Sequence, residues 1–231
     1  MSKYYPLINK NSEFDAVILC DGDYPSAEIP LHILRNANFI CCCDGAALKH
    51  IKNGGRFDAI VGDGDSMSKN FKRKYKDIIH IETEQDTNDQ TKATRFCINK
   101  GFKNIAYLGA TGKREDHTLG NIGHLTNYRK EFNIKSVMLT DYGYFVSAQG
   151  NCRFASFKGQ QVSFFNIDCS EFESKGTKWK THAYKYWWQG TLNEALDDEF
   201  EIKSDGSFLV FRTYLSKNME NKIFKNQRLL N

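Results

Sequence analysis

Short apolar runs alternate with segments of helical periodicity through the first part of this chain, and that alternation constrains the fold more than any other feature. The runs are Phe14–Cys20, Phe39–Cys43, Ile60–Val61 within Ala59–Gly62, Ile78–Ile81, Asn104–Leu108 and Lys135–Leu139. Between them, Pro30 opens a helix carrying Leu31, Ile33, Leu34 and Ala37, since proline is tolerated in a first turn. A second helix runs from Ala46 to Ile51 and stops at Asn53-Gly54-Gly55, a third is capped by Ser68 and carries Phe71 and Tyr75, and a fourth carries Ala93, Phe96, Cys97 and Ile98. A fifth begins near Asp116 and carries Leu119, Ile122, Leu125 and Tyr128. Such alternation predicts an open parallel sheet of Rossmann-like α/β type, covered on both faces. Asp21, Asp44, Asp63, Gly109 and Asp141 each follow a run, so a parallel sheet sets them along one edge. Crowded carboxylates repel one another, so their gathering is expected to carry function.

After Gly143 the texture changes. Arg153–Phe157, Val162–Phe165, Lys178–Lys180, Tyr184–Trp187, Phe200–Ile202 and Phe208–Phe211 read as short aromatic-rich strands, separated by turns such as Lys158-Gly159, Lys175-Gly176 and Asp205-Gly206. That pattern predicts an antiparallel β-sandwich. The expected boundary lies near residue 148, giving an α/β domain over 1–148 and a β-sandwich over 149–231. The whole chain, 231 residues with 40% hydrophobic and 26% charged, has an ordinary globular balance. No apolar run reaches bilayer length, and Met1-Ser2-Lys3-Tyr4-Tyr5-Pro6 lacks the pattern of a secretion signal, which points to the cytoplasm and away from membranes. The seven cysteines show no Cys-x-x-Cys spacing and read as small buried residues. A net charge of +4, with Lys217, Lys222, Lys225 and Arg228 spaced among polar residues as a solvated tail, gives no nucleic-acid signature.

Three stretches carry candidate chemistry. In Ala59-Ile60-Val61-Gly62-Asp63-Gly64-Asp65-Ser66, a turn can bring Asp63 and Asp65 to one hard cation such as Mg²⁺, with the glycines permitting close backbone approach. A hydrogen-bonded turn without metal explains the same residues. In Glu84-Gln85-Asp86-Thr87-Asn88-Asp89-Gln90-Thr91-Lys92, Asp86, Asp89 and Lys92 fall on neighbouring helix positions. A ligand site fits them, and so does a plain helix start with Asn88 as cap, Asp89 near the positive dipole end and Lys92 in a surface pair. Gly109-Ala110-Thr111-Gly112-Lys113-Arg114-Glu115-Asp116-His117-Thr118-Leu119-Gly120-Asn121 is a glycine-containing loop leading into a helix, suited to an anion, with Arg114 as a planar fork for phosphate. It lacks the ending of a Walker A loop. Asp116 can orient or deprotonate a hydroxyl, or cap the helix; His117 reads as structural.

Asp44-Gly45-Ala46-Ala47, Gly62–Ser66, Gln85–Ala93 and Gly109–His117 together resemble, in order and spacing, the motifs of thiamin pyrophosphokinases. Gly176-Thr177-Lys178-Trp179 and Gly190-Thr191-Leu192-Asn193-Glu194 resemble that family's carboxyl-terminal motifs more loosely. The resemblance implies an α/β domain paired with a β-sandwich, a homodimer, and Mg²⁺-dependent transfer of pyrophosphate from ATP to the hydroxyl of thiamin, releasing AMP. It implies Asp63, Asp65 and Asp89 as metal ligands, and Asp44, Gly45, Ser66, Gln85, Asp86, Thr111 and Arg114 along the nucleotide. It also implies Lys92, Arg114 and Asp116 as catalytic groups, with Asp116, Trp179 and Asn193 at a thiamin pocket between subunits. The chain departs from the family pattern at Gly64 for Phe, Asn88 for Thr, Lys113 for Gly and Leu192 for Ser. Two other readings share these residues: pyrophosphoryl transfer to a different small alcohol, and a nucleotide or thiamin diphosphate binder without turnover. Trp179 can face a cationic thiazolium ring or fill the sandwich core.

Overall fold

A computed structural model describes residues 2–219 and divides into two compact units, Lys10–Asp141 and Met1–Asn9 with Tyr142–Asn231. Lys222, Lys225 and Arg228 lie outside the described residues. Strand β1 (Lys3–Tyr5) opens the chain and belongs to the second unit.

The first unit runs β2 (Ala16–Leu19), α1 (Glu28–Asn36), β3 (Ile40–Cys43), α2 (Ala46–Lys52), β4 (Ala59–Gly62), α3 (Lys69–Lys74), β5 (Ile79–Ile81), α4 (Asp89–Asn99), β6 (Asn104–Leu108), α5 (Glu115–Phe132) and β7 (Lys135–Leu139). Its strands are parallel, in the order β7-β6-β2-β3-β4-β5. Every residue of β2, β3 and β4 is buried, as expected of strands covered on both faces; a one-sided sheet would alternate. Burial also explains Cys41-Cys42-Cys43, whose thiols pack as apolar groups and are pushed up in pKa, Cys42 chiefly by desolvation. From β2 the chain steps outward through β3, β4 and β5, then returns to the other side of β2 with β6. The switch of direction between β2 and β6 leaves a crevice outside their carboxyl ends, where open α/β sheets bind ligands.

Local signals set several helix ends. Ser68 Oγ accepts the Phe71 amide at the start of α3, and Asn88 Oδ1 accepts the Thr91 amide at the start of α4. Helix α1 begins after Ala27, which offers no capping side chain. Asp141 instead holds the approach to α1 from far along the chain: its carboxylate accepts the amides of Ser26, at 3.0 Å, and Ala27, at 3.1 Å. Thus one of the strand-end acids serves stability, by fixing the two residues that lead into the helix.

The second unit contains β8 (Gly143–Gln149), β9 (Cys152–Ala155), β10 (Gln160–Asn166), β11 (Phe172–Lys175), β12 (Gly190–Glu194), β13 (Glu199–Ser204) and β14 (Ser207–Ser216). One sheet is ordered β1-β9-β13-β11, and β12, β10, β14 and β8 pair antiparallel in the other. Phenylalanines from the two sheets interleave: Phe164 meets Phe172 and Phe200, and Phe208 meets Phe154 and Phe172. The division falls at Asp141–Tyr142, ahead of the expected 148, because Gly143–Gln149 pairs antiparallel with β14. Residues 1–9, expected in the α/β domain, join this unit through β1, which pairs parallel with β9. Lys178–Lys180 and Tyr184–Trp187, expected as strands, form bends and turns.

Candidate active site

The crevice between the β2 and β6 ends is a cleft of about 490 Å³, and the segments that follow β2, β3, β4, β5 and β6 build it. The loop after β2 and the loop after β6 are stitched together: the Gly22 amide donates to Gly109 O at 2.6 Å, and the Asp23 amide to Thr111 O at 2.8 Å. A Cβ on Gly22 would lie 2.3 Å from Thr111 O, so only glycine allows this approach.

Asp44 follows β3 with φ of +31°, an uncommon conformation for a residue with a side chain. It is only 8% exposed, its Oδ2 accepts the Ser66 amide at 3.3 Å, and its Oδ1 has no hydrogen-bond partner. A buried carboxylate oxygen without a donor is costly, and strain of this kind gathers at functional sites. Asp63 follows β4 and lines the same cleft. Asp89, the first residue of α4, completes the acidic wall. Burial pushes the Asp89 carboxyl up; Lys92 pulls it back, and the nearby Asp63 and Asp44 raise it again. These hard carboxylate oxygens, mutually repelling and one of them without a donor, suit a divalent cation. Among the described residues, no three His, Cys, Asp or Glu side chains are drawn into a ready metal cage.

Lys92, Lys113 and Arg114 are the cations that line the cleft. Lys92 is 2% exposed and its Nζ lies 3.8 Å from Asp89 Oδ1, so the ammonium is inside the site, against a carboxylate that opens to the cleft. Arg114, on the loop after β6, donates from Nε and Nη2 to Asp116 at 3.1 and 2.5 Å. That fork holds the Asp116 carboxyl down at about 2. Asp116 is therefore ionised and weakly basic as it stands, and its proton affinity is set by whether Arg114 stays on it.

Of the residues singled out by sequence, Asp44, Gly45, Asp63, Ser66, Gln85, Asp89, Lys92, Thr111 and Arg114 line the cleft. Asp65, Asp86 and Asp116 are exposed and outside its lining, although Asp65 contributes its amide to Asp63 Oδ1 at 3.0 Å. Trp179 and Asn193 belong to the other unit. There Asn193, 5% exposed, spends its amide on the Trp179 backbone: Oδ1 accepts the Trp179 amide at 3.2 Å and Nδ2 donates to Trp179 O at 2.7 Å. The indole so held is 53% exposed, which excludes it from the core of its own unit. Leu192 is exposed with φ of +65°.

The cleft also contains residues to which sequence assigned no role. Asp21 accepts from Lys113 Nζ at 3.0 Å and lies 3.3 Å from Lys49 Nζ, tying the rim together. Its place after a strand was the available signal. Asn121, one turn into α5 beyond His117, lines the cleft without any local pattern to announce it.

Comparison with known proteins now bears on this geometry. Residues 31–138 match the family model of the thiamin pyrophosphokinase catalytic domain, and residues 143–211 that of the thiamin pyrophosphokinase substrate-binding domain. The chain belongs to the thiamin pyrophosphokinase family. Within that family it is similar to thiamin pyrophosphokinase 1 of Caenorhabditis elegans, 26% identical over 106 residues, which cover 42% of this chain and 43% of the relative. The match thus spans less than half of the length of that curated relative. The thiamin pyrophosphokinase of Candida albicans superposes with a TM-score of 0.73 at 14% identity, covering 92% of each chain. That of Bacillus subtilis gives 0.70 at 19% identity, covering 86% of this chain and 98% of the other. At such identities these two likenesses establish the shared α/β plus β-sandwich fold. Among the described residues no helix is long and apolar enough to cross a membrane.

Proposed function

We propose that this family member is a thiamin diphosphokinase, transferring the pyrophosphoryl group of ATP to the hydroxyl of thiamin and releasing AMP. The observation that carries the reading is the convergence of Asp63, Asp89, Lys92, Thr111 and Arg114, from the loops after β4 and β6 and the first turn of α4, on one cleft at the sheet's switch point. In the proposed reaction the thiamin oxygen forms a bond to the β-phosphorus, and the bond from that phosphorus to the AMP oxygen breaks. The phosphates carry several negative oxygens, so the protein's task is alignment and charge neutralisation. Lys92 and Arg114 supply fixed positive charge, and the amides of the loop after β6 face the anion. Asp63 and Asp89 would hold Mg²⁺, with Asp44 behind them. Mg²⁺ is usually held by one or two carboxylates together with substrate phosphates and water, which suits a site with no closed cage. When bound, it would neutralise phosphate charge. Asp65 and Asp86, on exposed turns, would act from the rim.

Asp116 receives or orients the thiamin hydroxyl proton in this scheme, once phosphate takes Arg114 from it. The Trp179 face, held by Asn193, receives the thiazolium ring, a cation–π contact that Lys178 Nζ already makes at 4.9 Å. A homodimer is supported by the large exposed rings Trp179, Tyr186, Trp187 and Trp188, more apolar area than an isolated surface tolerates well. A cytoplasmic location is supported by the seven free cysteines. Leu192 offers no hydroxyl where the family pattern has one, and this favours a second reading in which the acceptor is a different small alcohol. Incubation of the pure protein with ATP, Mg²⁺ and thiamin is expected to yield AMP and thiamin diphosphate in equal amounts. AMP formed only with another alcohol would replace thiamin as acceptor, and no AMP with any would leave a binding protein.

A further inference from the structure

We infer that Asn121 is a positioning residue that fixes the distance between the two halves of the phosphate site. The inference rests on the function proposed above. One half is the start of α4, with Asp89 and Lys92; the other is the loop after β6, with Thr111 and Arg114. Where α4 begins depends on Asn88, whose Oδ1 accepts both the amide and the hydroxyl of Thr91, at 3.0 and 2.9 Å. A backbone N–H can only donate, so the amide oxygen of Asn88 must face the helix and its Nδ2 must face outward. Outward lies Asn121, whose Oδ1 accepts from Asn88 Nδ2 at 2.9 Å. With its oxygen used there, Asn121 turns Nδ2 to Ala110 O at 2.8 Å, the residue before Thr111.

The relay is therefore anchored at each end by a backbone group, and its direction is forced throughout. Position 121 needs one acceptor and one donor at amide spacing. Aspartate offers only acceptors, alanine neither, and serine is too short to span the two loops. The backbone of Asn121 is engaged as well, because its carbonyl accepts Gln90 Nε2 at 3.2 Å, which ties the first turn of α4 to α5 a second time. Beneath, Thr91 Oγ1 meets Tyr128 OH at 2.8 Å and Thr94 Oγ1 meets Tyr107 OH at 2.9 Å, so the helix pair rests on a buried polar layer with little freedom to shift. Catalytic alignment is lost over displacements of about 1 Å. A side chain that sets the spacing of Asp89 against Thr111 thus governs turnover without touching the reacting atoms.

The test is a double-mutant cycle on Asn121→Ala and Asn88→Ser, the latter keeping the helix cap but too short to reach Asn121. Both single variants are expected to lower kcat at least tenfold, to weaken Mg–ATP binding measured calorimetrically, and to leave KM for thiamin within twofold. The double variant should be no worse than either alone, because each breaks the same relay. Multiplicative effects, or a loss confined to melting temperature with kcat and Mg–ATP affinity intact, would overturn the inference. If N121A does not fold, N88S against the wild type carries the same test. If the wild type itself makes no AMP, the proposed function fails separately, and Mg–ATP affinity across the cycle still decides whether the relay sets the site.

Discussion

Gly62→Ala tests the placement of Asp44 from a residue that touches no substrate. A Cβ at position 62 would sit 2.8 Å from Asp44 Cβ and 3.4 Å from Asp44 Cα and Cγ. Ordinary carbon contacts lie at about 3.5–4.0 Å, so roughly 0.7 Å must open between the ends of β3 and β4. Asp44 cannot yield freely, because its amide donates to Val61 O at 3.0 Å, its Oδ2 holds the Ser66 amide, and its φ is already +31°. Overpacking of this kind costs about 1–3 kcal/mol. For a unit of this size that corresponds to a melting temperature lower by roughly 2–12 °C. Because Asp44 is the inner member of the acidic wall, Mg–ATP affinity should fall about tenfold or more, in line with the sensitivity of aligned sites to sub-ångström shifts. Gly54→Ala is the control: its φ is +74° but no atom lies within 4 Å of the added Cβ, so it should cost about 1–2 kcal/mol of backbone strain and leave affinity alone. Calorimetric melting and Mg–ATP titration of the two variants decide the matter. Wild-type affinity in G62A, or an equal loss in G54A, would refute the reasoning.

Lys92→Met removes the buried ammonium facing Asp89 and is expected to lower kcat by about 10²–10³, as for loss of one fixed group stabilising transition-state charge; near-normal turnover would dismiss Lys92 from catalysis. Arg114→Met should let the Asp116 carboxyl return from about 2 toward its ordinary 3.8, measured by NMR titration. Because the folded value is depressed, this pairing adds stability above the unfolded pKa and loses it as pH falls from about 4 to 2, so the variant should lack that acid-side dependence; an unchanged titration would show that Arg114 is not the cause. Asn193→Ala frees the Trp179 backbone and should raise KM for thiamin with KM for ATP unchanged; equal effects on both would remove Trp179 from the acceptor pocket. Arg212→Met empties a fully buried fork that donates to Tyr5 O, Pro6 O and Ala155 O, at 3.3, 3.0 and 2.7 Å. With three carbonyls left short, the loss should be about 2–5 kcal/mol in urea unfolding, and an unshifted midpoint would show that the segment 1–9 is held otherwise.

The α/β strands were legible because a strand buried on both faces is apolar throughout, and the caps Ser68 and Asn88 because capping is a contact within one turn. The strand-end acids were legible for the same reason, since parallel connectivity carries every such residue to one edge. What the acids do there was decided in three dimensions. Asp44 and Asp63 line the cleft, whereas Asp141 is spent on the amides before α1, a partner more than a hundred residues away in sequence. The burial of Lys92, for which a ligand site and a surface pair were both open readings, depends on packing that no local spacing encodes. Residues 143–148 were placed with the α/β domain because the change of pattern along the chain does not mark where one unit ends; only pairing with β14 assigns them to the sandwich. Aromatic enrichment made Tyr184–Trp187 resemble a strand, yet only Tyr184 packs inward, on Phe172, while Tyr186 and Trp187 stand exposed on bends and turns. Pattern along the chain determined which elements form, and pairing between distant segments determined which side chains meet, because a relay such as Asn88–Asn121–Ala110 exists only after α4, α5 and the loop after β6 have closed on one another.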